Sequence, residues 1–136
     1  MGNTVFLDWK NNKENAIEHG IEETVSQIGG YISFEVPEEG ISSYVFQNFP
    51  SLTIENANLI DCRFENCGSI TLENGRAVNC GFSCIDVLSF EGMSILDSQF
   101  SDLTCFSDAV IYPVDSRIIN SSFDRIQLHR ESYLLQ

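Results

Sequence analysis

The chain has 136 residues, 43% of them hydrophobic, which fits one folded domain with a single core and excludes a disordered chain or a second domain. It carries 20 acidic residues against 7 basic, a net charge of −13. Such a surface repels nucleic acid and anionic membranes and favours basic partners or cations, although solubility alone accounts for the same excess.

The elements begin with alternation over Thr4 to Trp9, which predicts a short first strand. A helix is expected next: Asn11 with Glu14 resembles a capping pair, Ile17, Ile21, Val25 and Ile28 recur at helical spacing, and Gly29-Gly30 supplies the stop. Tyr31 to Val36 then reads as a strand and Pro37 to Gly40 as a turn. No apolar run reaches the roughly 18 residues of a membrane span, and the N-terminal stretch lacks a secretion signal, so a cytoplasmic protein with no membrane contact is expected.

From Leu52 to Ile126 one phrase is written four times: LIDCRFENC, AVNCGFSCI, ILDSQFSDL and IINSSFDRI. Alignment puts Phe64, Phe82, Phe100 and Phe123 in one column. A second column holds Cys62, Cys80, Ser98 and Ser121, a third Ile60, Val78, Leu96 and Ile119, and a fourth Cys67, Ile85, Leu103 and Ile126. Phe46, Phe49 and Phe34 lie 18 residues before Phe64, Cys67 and Leu52, so a degenerate copy precedes these and the repeat starts near Tyr31. A self-similar period of this length marks a solenoid, whose repeats bury their apolar faces by stacking. Alternation points Leu52 and Ile54 inward with Thr53 and Glu55 outward, and Ile60, Cys62 and Phe64 inward with Asp61, Arg63 and Glu65 outward.

The expected fold is therefore all-β: a short parallel β-helix of about five coils of 18 residues, with an N-terminal capping α-helix. Residues 1–30 form the first strand and helix, 31–128 the β-helix, and 129–136 a tail or cap. A five-residue excess in the fourth copy, from Phe106 to Pro113, must leave the coil as a loop, with Pro113 at a corner or edge. The tail, with Leu128, Tyr133, Leu134 and Leu135, either covers the last coil or leaves it to a second subunit, which makes a homodimer through the C-terminal coil one expected partnership.

The chain resembles right-handed parallel β-helices of the pectin-lyase-like kind. The opening AIEHGIEETVSQI, the Gly29-Gly30 pair and YISFEVPEEG are similar to the capping helix and first strand of that superfamily. The Cys-x-Phe phrase also resembles one face of pentapeptide-repeat proteins, although a period of 18 is not a multiple of five. The first resemblance implies a right-handed coil. The catalytic clusters of the large polysaccharide-cleaving members have no match here, so it assigns no catalytic residue.

No nucleophile elbow, glycine-rich phosphate loop or metal-ligand spacing occurs. The odd count of five cysteines, without CxxC and with His19 and His129 far apart, points to reduced buried thiols, no metal and no cofactor. The candidate carboxylates are Asp61 with Glu65, and Asp61 with Asp97 two coils on, at about 9.6 Å from two strand spacings. That distance approaches the upper end of an inverting glycosidase pair. The sharper signal is Glu55, Glu73 and Glu91, recurring every 18 residues beside Thr53, Thr71 and Ser89. Neighbouring carboxylates at ~4.8 Å repel by about 0.9 kcal/mol in water, which a cation or basic partner would relieve.

From Tyr31 onward 15 acidic and 5 basic residues give a net charge of −10. Over about 24 Å of rise that is one charge per ~2.4 Å, against about 1.7 Å in duplex DNA. Some pentapeptide-repeat proteins are understood to act as nucleic-acid mimics, so the resemblance points the same way. Arg63, Arg76, Arg117 and Arg125 are too few for a phosphate track and are expected to pair with nearby carboxylates.

The reading reached is a non-enzymatic, acidic inhibitor or interaction protein, of a sort a phage or mobile element encodes. It would bind a basic nucleic-acid-handling protein through Glu55, Glu73, Glu91, Asp61, Glu65 and Asp97, without contacting nucleic acid itself. The alternatives are a small carbohydrate-binding or carbohydrate-active β-helix and a structural assembly module.

Overall fold

The computed structural model describes residues 4–26, 29–101, 110–124, 127–128 and 134–135. In chain order they form β1 (Val5–Asp8), α1 (Lys13–Glu18), β2 (Glu22–Ser26), β3 (Gly29–Glu35), β4 (Ile41–Ser42), β5 (Tyr44–Gln47), β6 (Ser51–Glu55) and β7 (Asn58–Ile60). The long strands β8 (Arg63–Val78) and β9 (Gly81–Leu96) follow, each bending through a whole coil. Then come β10 (Gln99–Ser101), β11 (Val110–Val114), β12 (Arg117–Ile119), β13 (Ser122–Asp124), β14 (Gln127–Leu128) and β15 (Leu134–Leu135).

These strands build a parallel β-solenoid of about four turns with three sides. Sheet 1 runs β1, β5, the start of β8, the start of β9, β10 and β13. Sheet 2 runs β2, β3, β6, the middle of β8 and β9, β11 and β14, and sheet 3 runs β4, β7, the ends of β8 and β9, β12 and β15. The turn count falls below the expected five because the segment at Tyr31 enters through a hairpin, β2 antiparallel to β3, rather than as a full coil.

The repeat columns explain the core. Phe46, Phe64, Phe82, Phe100 and Phe123 stack one per rung of sheet 1, with successive ring centroids 4.8, 5.1, 4.8 and 4.8 Å apart. That spacing is the strand separation itself, so one ring per rung fills the interior in offset stacking without strain. Leu52 and Ile54, Ile70 and Leu72, and Leu88 and Phe90 point inward from sheet 2, as their alternation requires, and Cys67 and Ile85 plug the corner between sheets 1 and 2. Leu103 and Ile126 lie outside the described residues.

Corners among the described residues are turned by a residue in the left-handed region. Among the described residues eleven non-glycine positions have positive φ, and nine of them are Asn or Asp, the side chains that tolerate this conformation. They form columns: Asn48, Asn66 and Cys84; Asn56, Asn74, Gly92 and Asp115; and Ser43, Asp61, Asn79, Asp97 and Asn120. The corner before sheet 1 breaks alternation and reverses one expectation. Leu59, Ala77, Ile95 and Ile118 point inward, whereas Ile60 is 52% exposed and Val78, Leu96 and Ile119 lie partly open on the outside of sheet 3. Cys62, Cys80 and Ser98 then turn back into the core as expected. Ser98 Oγ donates to the Leu96 carbonyl at 2.9 Å and accepts the Cys80 N–H at 3.1 Å, so the small column satisfies backbone groups that the bend frees.

The N-terminal helix is shorter than its apolar spacing suggested. Asn12, not Asn11, caps it, and it stops at His19 because Gly20 adopts φ +104, where only glycine sits without strain. Ile17 is 49% exposed, Ile21 is buried beyond the helix, and Val25 and Gly29-Gly30 belong to the hairpin strands. Ile28 lies outside the described residues. The helix stands beside β1, where Asn15 Nδ2 donates to the Phe6 carbonyl on that edge strand at 2.9 Å.

Further along, the coil register lengthens from 18 residues at Phe100 with Phe82 to 23 at Ile111 with Leu88, so the five-residue excess falls in 102–109, outside the described residues. Pro113 sits inside β11 at the level of Phe90, beyond the two residues that pair with β14. Leu128, Leu134 and Leu135 lie in β14 and β15, which continue sheets 2 and 3, and Tyr133 lies outside the described residues.

Candidate functional site

Of the six carboxylates singled out in the sequence, three share one column. Glu55 pairs in register with Glu73, and Glu73 with Glu91, on the outer face of sheet 2. A fourth member, Glu35, lies in register with Glu55. The 18-residue period hides it, because the Pro37 to Gly40 turn lengthens that coil and places Phe34 beside Ile54 instead of Leu52. Ser33, Thr53, Thr71 and Ser89 form the adjacent hydroxyl column, and both columns end at Tyr112 and Val114.

The column is poorly compensated. The ion pairs among the described residues are Lys13 with Glu23 at 2.9 Å and Arg63 with Glu65 at 4.0 Å, so Glu35, Glu55, Glu73 and Glu91 have none. Asn56 Nδ2 reaches Glu35 at 3.4 Å. Partial burial, together with a hydrogen bond and charge repulsion from Glu91 and repulsion from Glu55, raises the Glu73 carboxyl above its ordinary value. Two carboxyl groups in such contact share a proton or separate.

Asp61, Asp97 and Glu65 lie elsewhere. Asp61 and Asp97 are corner residues two coils apart, with Asn79 between them. Asn79 Nδ2 donates to Asp61 Oδ1 at 2.6 Å, and Asn120 Nδ2 likewise donates to Asp97. Each carboxylate is thus held by an amide from the next coil, which explains its residue type by backbone geometry. Glu65 is on sheet 1, where it accepts from Gln47 Nε2 at 3.0 Å and faces Arg63. Among the described residues Arg76 and Arg117 make no ion pair, contrary to expectation, and Arg125 lies outside the described residues.

A parallel amide ladder runs along the corner between sheets 1 and 2, where Asn66 donates to Asn48 at 2.6 Å and Asn48 to Asp8 at 2.9 Å. Burial raises the Asp8 carboxyl. Hydrogen bonds from Asn48, Asn11 and the Lys10 backbone outweigh it and hold Asp8 below its ordinary value. Beside this corner a shallow groove of about 580 Å³ includes Trp9, Lys10 and Asp86. Trp9 is only 9% exposed, packed on Phe49 at 5.6 Å with Lys13 over its ring at 4.7 Å, so it offers no free platform for a sugar.

The three free thiols Cys62, Cys67 and Cys80 are buried, and the contact with Cys80 holds Cys62 below its ordinary value against the effect of burial. Contact with Cys62 and burial push the Cys80 thiol up, and burial pushes Cys67 up to about 11. Cys84 departs from the all-reduced expectation, being disulfide-bonded. Cys105 lies outside the described residues. Among the described residues no group of three His, Cys, Asp or Glu could hold a metal ion, and no helix is long and apolar enough to cross a membrane.

Fold and site together define an all-β parallel solenoid with one uncompensated carboxylate column on an open sheet face. No family model and no curated protein matches the chain.

Proposed function

We propose that this chain is a non-enzymatic acidic interaction protein that presents the sheet 2 glutamates to a basic, nucleic-acid-handling protein and occupies that partner's phosphate-binding surface as an inhibitor. The observation that carries the reading is the in-register run Glu35, Glu55, Glu73 and Glu91, without a cationic partner among the described residues. Rungs about 4.8 Å apart present one carboxylate each, against one phosphate per about 3.4 Å of axis on each DNA strand. A lysine or arginine track built for phosphates meets a comparable line of charge here, and its binding relieves the repulsion within the column. The site is the four glutamates; Asp61, Asp97 and Glu65 contribute to the field from the corner and the neighbouring sheet.

The role belongs in the cytoplasm, where nucleic acid is handled, and suits a phage or mobile element. The right-handed coil of the pectin-lyase-like superfamily is part of the same proposal, since parallel crossover connections strongly favour that hand.

The test is affinity capture on the immobilised wild-type chain and on a chain with Glu35, Glu55, Glu73 and Glu91 all changed to Gln. The reading expects a basic protein on the wild type alone, released by rising salt and displaced by duplex DNA or RNA. Equal capture on both chains, or capture indifferent to salt and nucleic acid, overturns it.

A further inference from the structure

The outer face of sheet 3 carries an arrangement from which the proposed function draws only on the field of Asp61 and Asp97. Its middle column is the aliphatic run Ile60, Val78, Leu96 and Ile119, turned outward by the corner that follows. Two residues before this column stand Arg76 and Arg117, exposed, two rungs apart and in no ion pair. One residue after it stand Asp61 and Asp97, also exposed and two rungs apart. Across the face the order is therefore basic, apolar, acidic, with Asp115 at the corner two residues before Arg117 and Glu39 lining the same hollow as Arg76. Each Asp gives one oxygen to an Asn amide, which leaves its other oxygen facing out.

We propose that this face docks a second copy of the chain, as a two-fold dimer whose axis runs parallel to the solenoid axis. Rotation about that axis reverses left and right on the apposed face but keeps each rung at its own height. The aliphatic column then lies on its own copy, while the arginine column faces the partner's aspartate column and the reverse. Rotation about an axis across the rungs would instead set arginine against arginine and aspartate against aspartate. Charge complementarity thus selects the parallel arrangement. Arg76 sits at the height between Asp61 and Asp97, and Arg117 one rung beyond Asp97, so each side chain reaches a carboxylate about one strand spacing, ~4.8 Å, along the axis.

A basic protein would meet the arginine column unfavourably, so this face and the glutamate column suit different partners. The footprint, four rungs by about four residues, is roughly 19 Å by 13 Å. This is small beside the ~800 Å² per partner of a stable complex, and two chains of net charge −13 repel at long range. The dimer is accordingly weak, concentration-dependent and favoured by moderate salt.

Sedimentation equilibrium of the whole chain, from about 10 μM to about 1 mM at moderate salt, spans the affinities such an interface gives. The mass is expected to rise toward twice that of the monomer. Arg76→Glu with Arg117→Glu, on the exposed face, should weaken the dimer at least tenfold with unchanged circular dichroism, as should Leu96→Ser. Glu55→Gln with Glu91→Gln, on sheet 2, should leave it intact. Orientation is read from one added surface cysteine at a time, compared with the wild type as the control for the five native cysteines: Ile60→Cys and Ile119→Cys should each form a covalent dimer alone on mild oxidation, since each faces itself. A wild type monomeric at ~1 mM, equal association of the arginine variant, growth beyond a dimer, or cross-linking only between Ile60→Cys and Ile119→Cys chains overturns the proposal. None of these results depends on the sheet 2 glutamates, so the two readings stand or fall separately.

Discussion

Carboxylates stand in columns in two regions of this solenoid, at the corners and on the flat of sheet 2, and their surroundings are opposite. At the corners Asp8, Asp61 and Asp97 each accept an amide N–H from an asparagine one coil away. On sheet 2 glutamate follows glutamate through four rungs, and partial burial together with the neighbouring Glu91 and Glu55 raises the Glu73 carboxyl. The fold therefore supplies an amide hydrogen bond to these acids at or beside the corners and none from asparagine to Glu55, Glu73 or Glu91 on the flat, where any outward residue would serve the strand. Charge that the fold does not require is the better candidate for function.

The comparison is broken most severely at a corner. A Cβ at Gly75 would lie 2.3 Å from the Ala57 carbonyl oxygen, so Gly75→Ala should force the coils apart and destabilise by about 3 kcal/mol in urea unfolding, the upper end of overpacking. Next, Asn79→Val places a β-branched residue at φ 54 and removes the donor to Asp61, with an expected loss of roughly 2 to 3 kcal/mol. Asn79→Gly should recover the backbone part and leave only the lost hydrogen bond, about 1 kcal/mol.

On the flat face the sign reverses. Glu73→Gln should raise the urea midpoint at neutral pH, with a gain in unfolding free energy on the order of 1 kcal/mol or less, because it removes repulsion without disturbing the strand. If the midpoint falls instead, the column is compensated and the comparison fails.

The smallest effect is in pH dependence, where the two regions should differ in direction. Glu73 has a folded pKa raised above its unfolded value, so its stabilising contribution is present below the unfolded value, near pH 4.3, and is lost as pH rises through the folded one. The gain from Glu73→Gln should thus appear at neutral pH and vanish in acid. Asp8 is depressed, so its contribution is present above about pH 3.9 and lost as pH falls through its folded value. Asp8→Asn should therefore destabilise at neutral pH, with the deficit closing only in stronger acid. Urea titrations of both variants between pH 7 and pH 3 read the two profiles together.

The sequence makes the core and the repeat legible because a column of identical residues needs no long-range information. Phe64, Phe82, Phe100 and Phe123 announce a period, and a period with alternating apolar residues leaves few alternatives to stacked strands. The glutamate column was legible for the same reason, except Glu35, which an irregular turn displaced from the period. Ile60 was misplaced because alternation assumes a straight strand, and a left-handed residue at Asp61 interrupts it. At the N-terminus an apolar period near four suggested one long helix, whereas pairing with β3 drew Glu22 to Ser26 into a strand.

By itself, then, the sequence determined that the chain coils, with what period, and which side chains of sheets 1 and 2 fill the inside, because these follow from local alternation repeated in step. Only the tertiary structure decided what each acidic residue meets. Whether a carboxylate meets an asparagine amide or another carboxylate depends on the neighbour one coil away, a contact set by register and corner geometry.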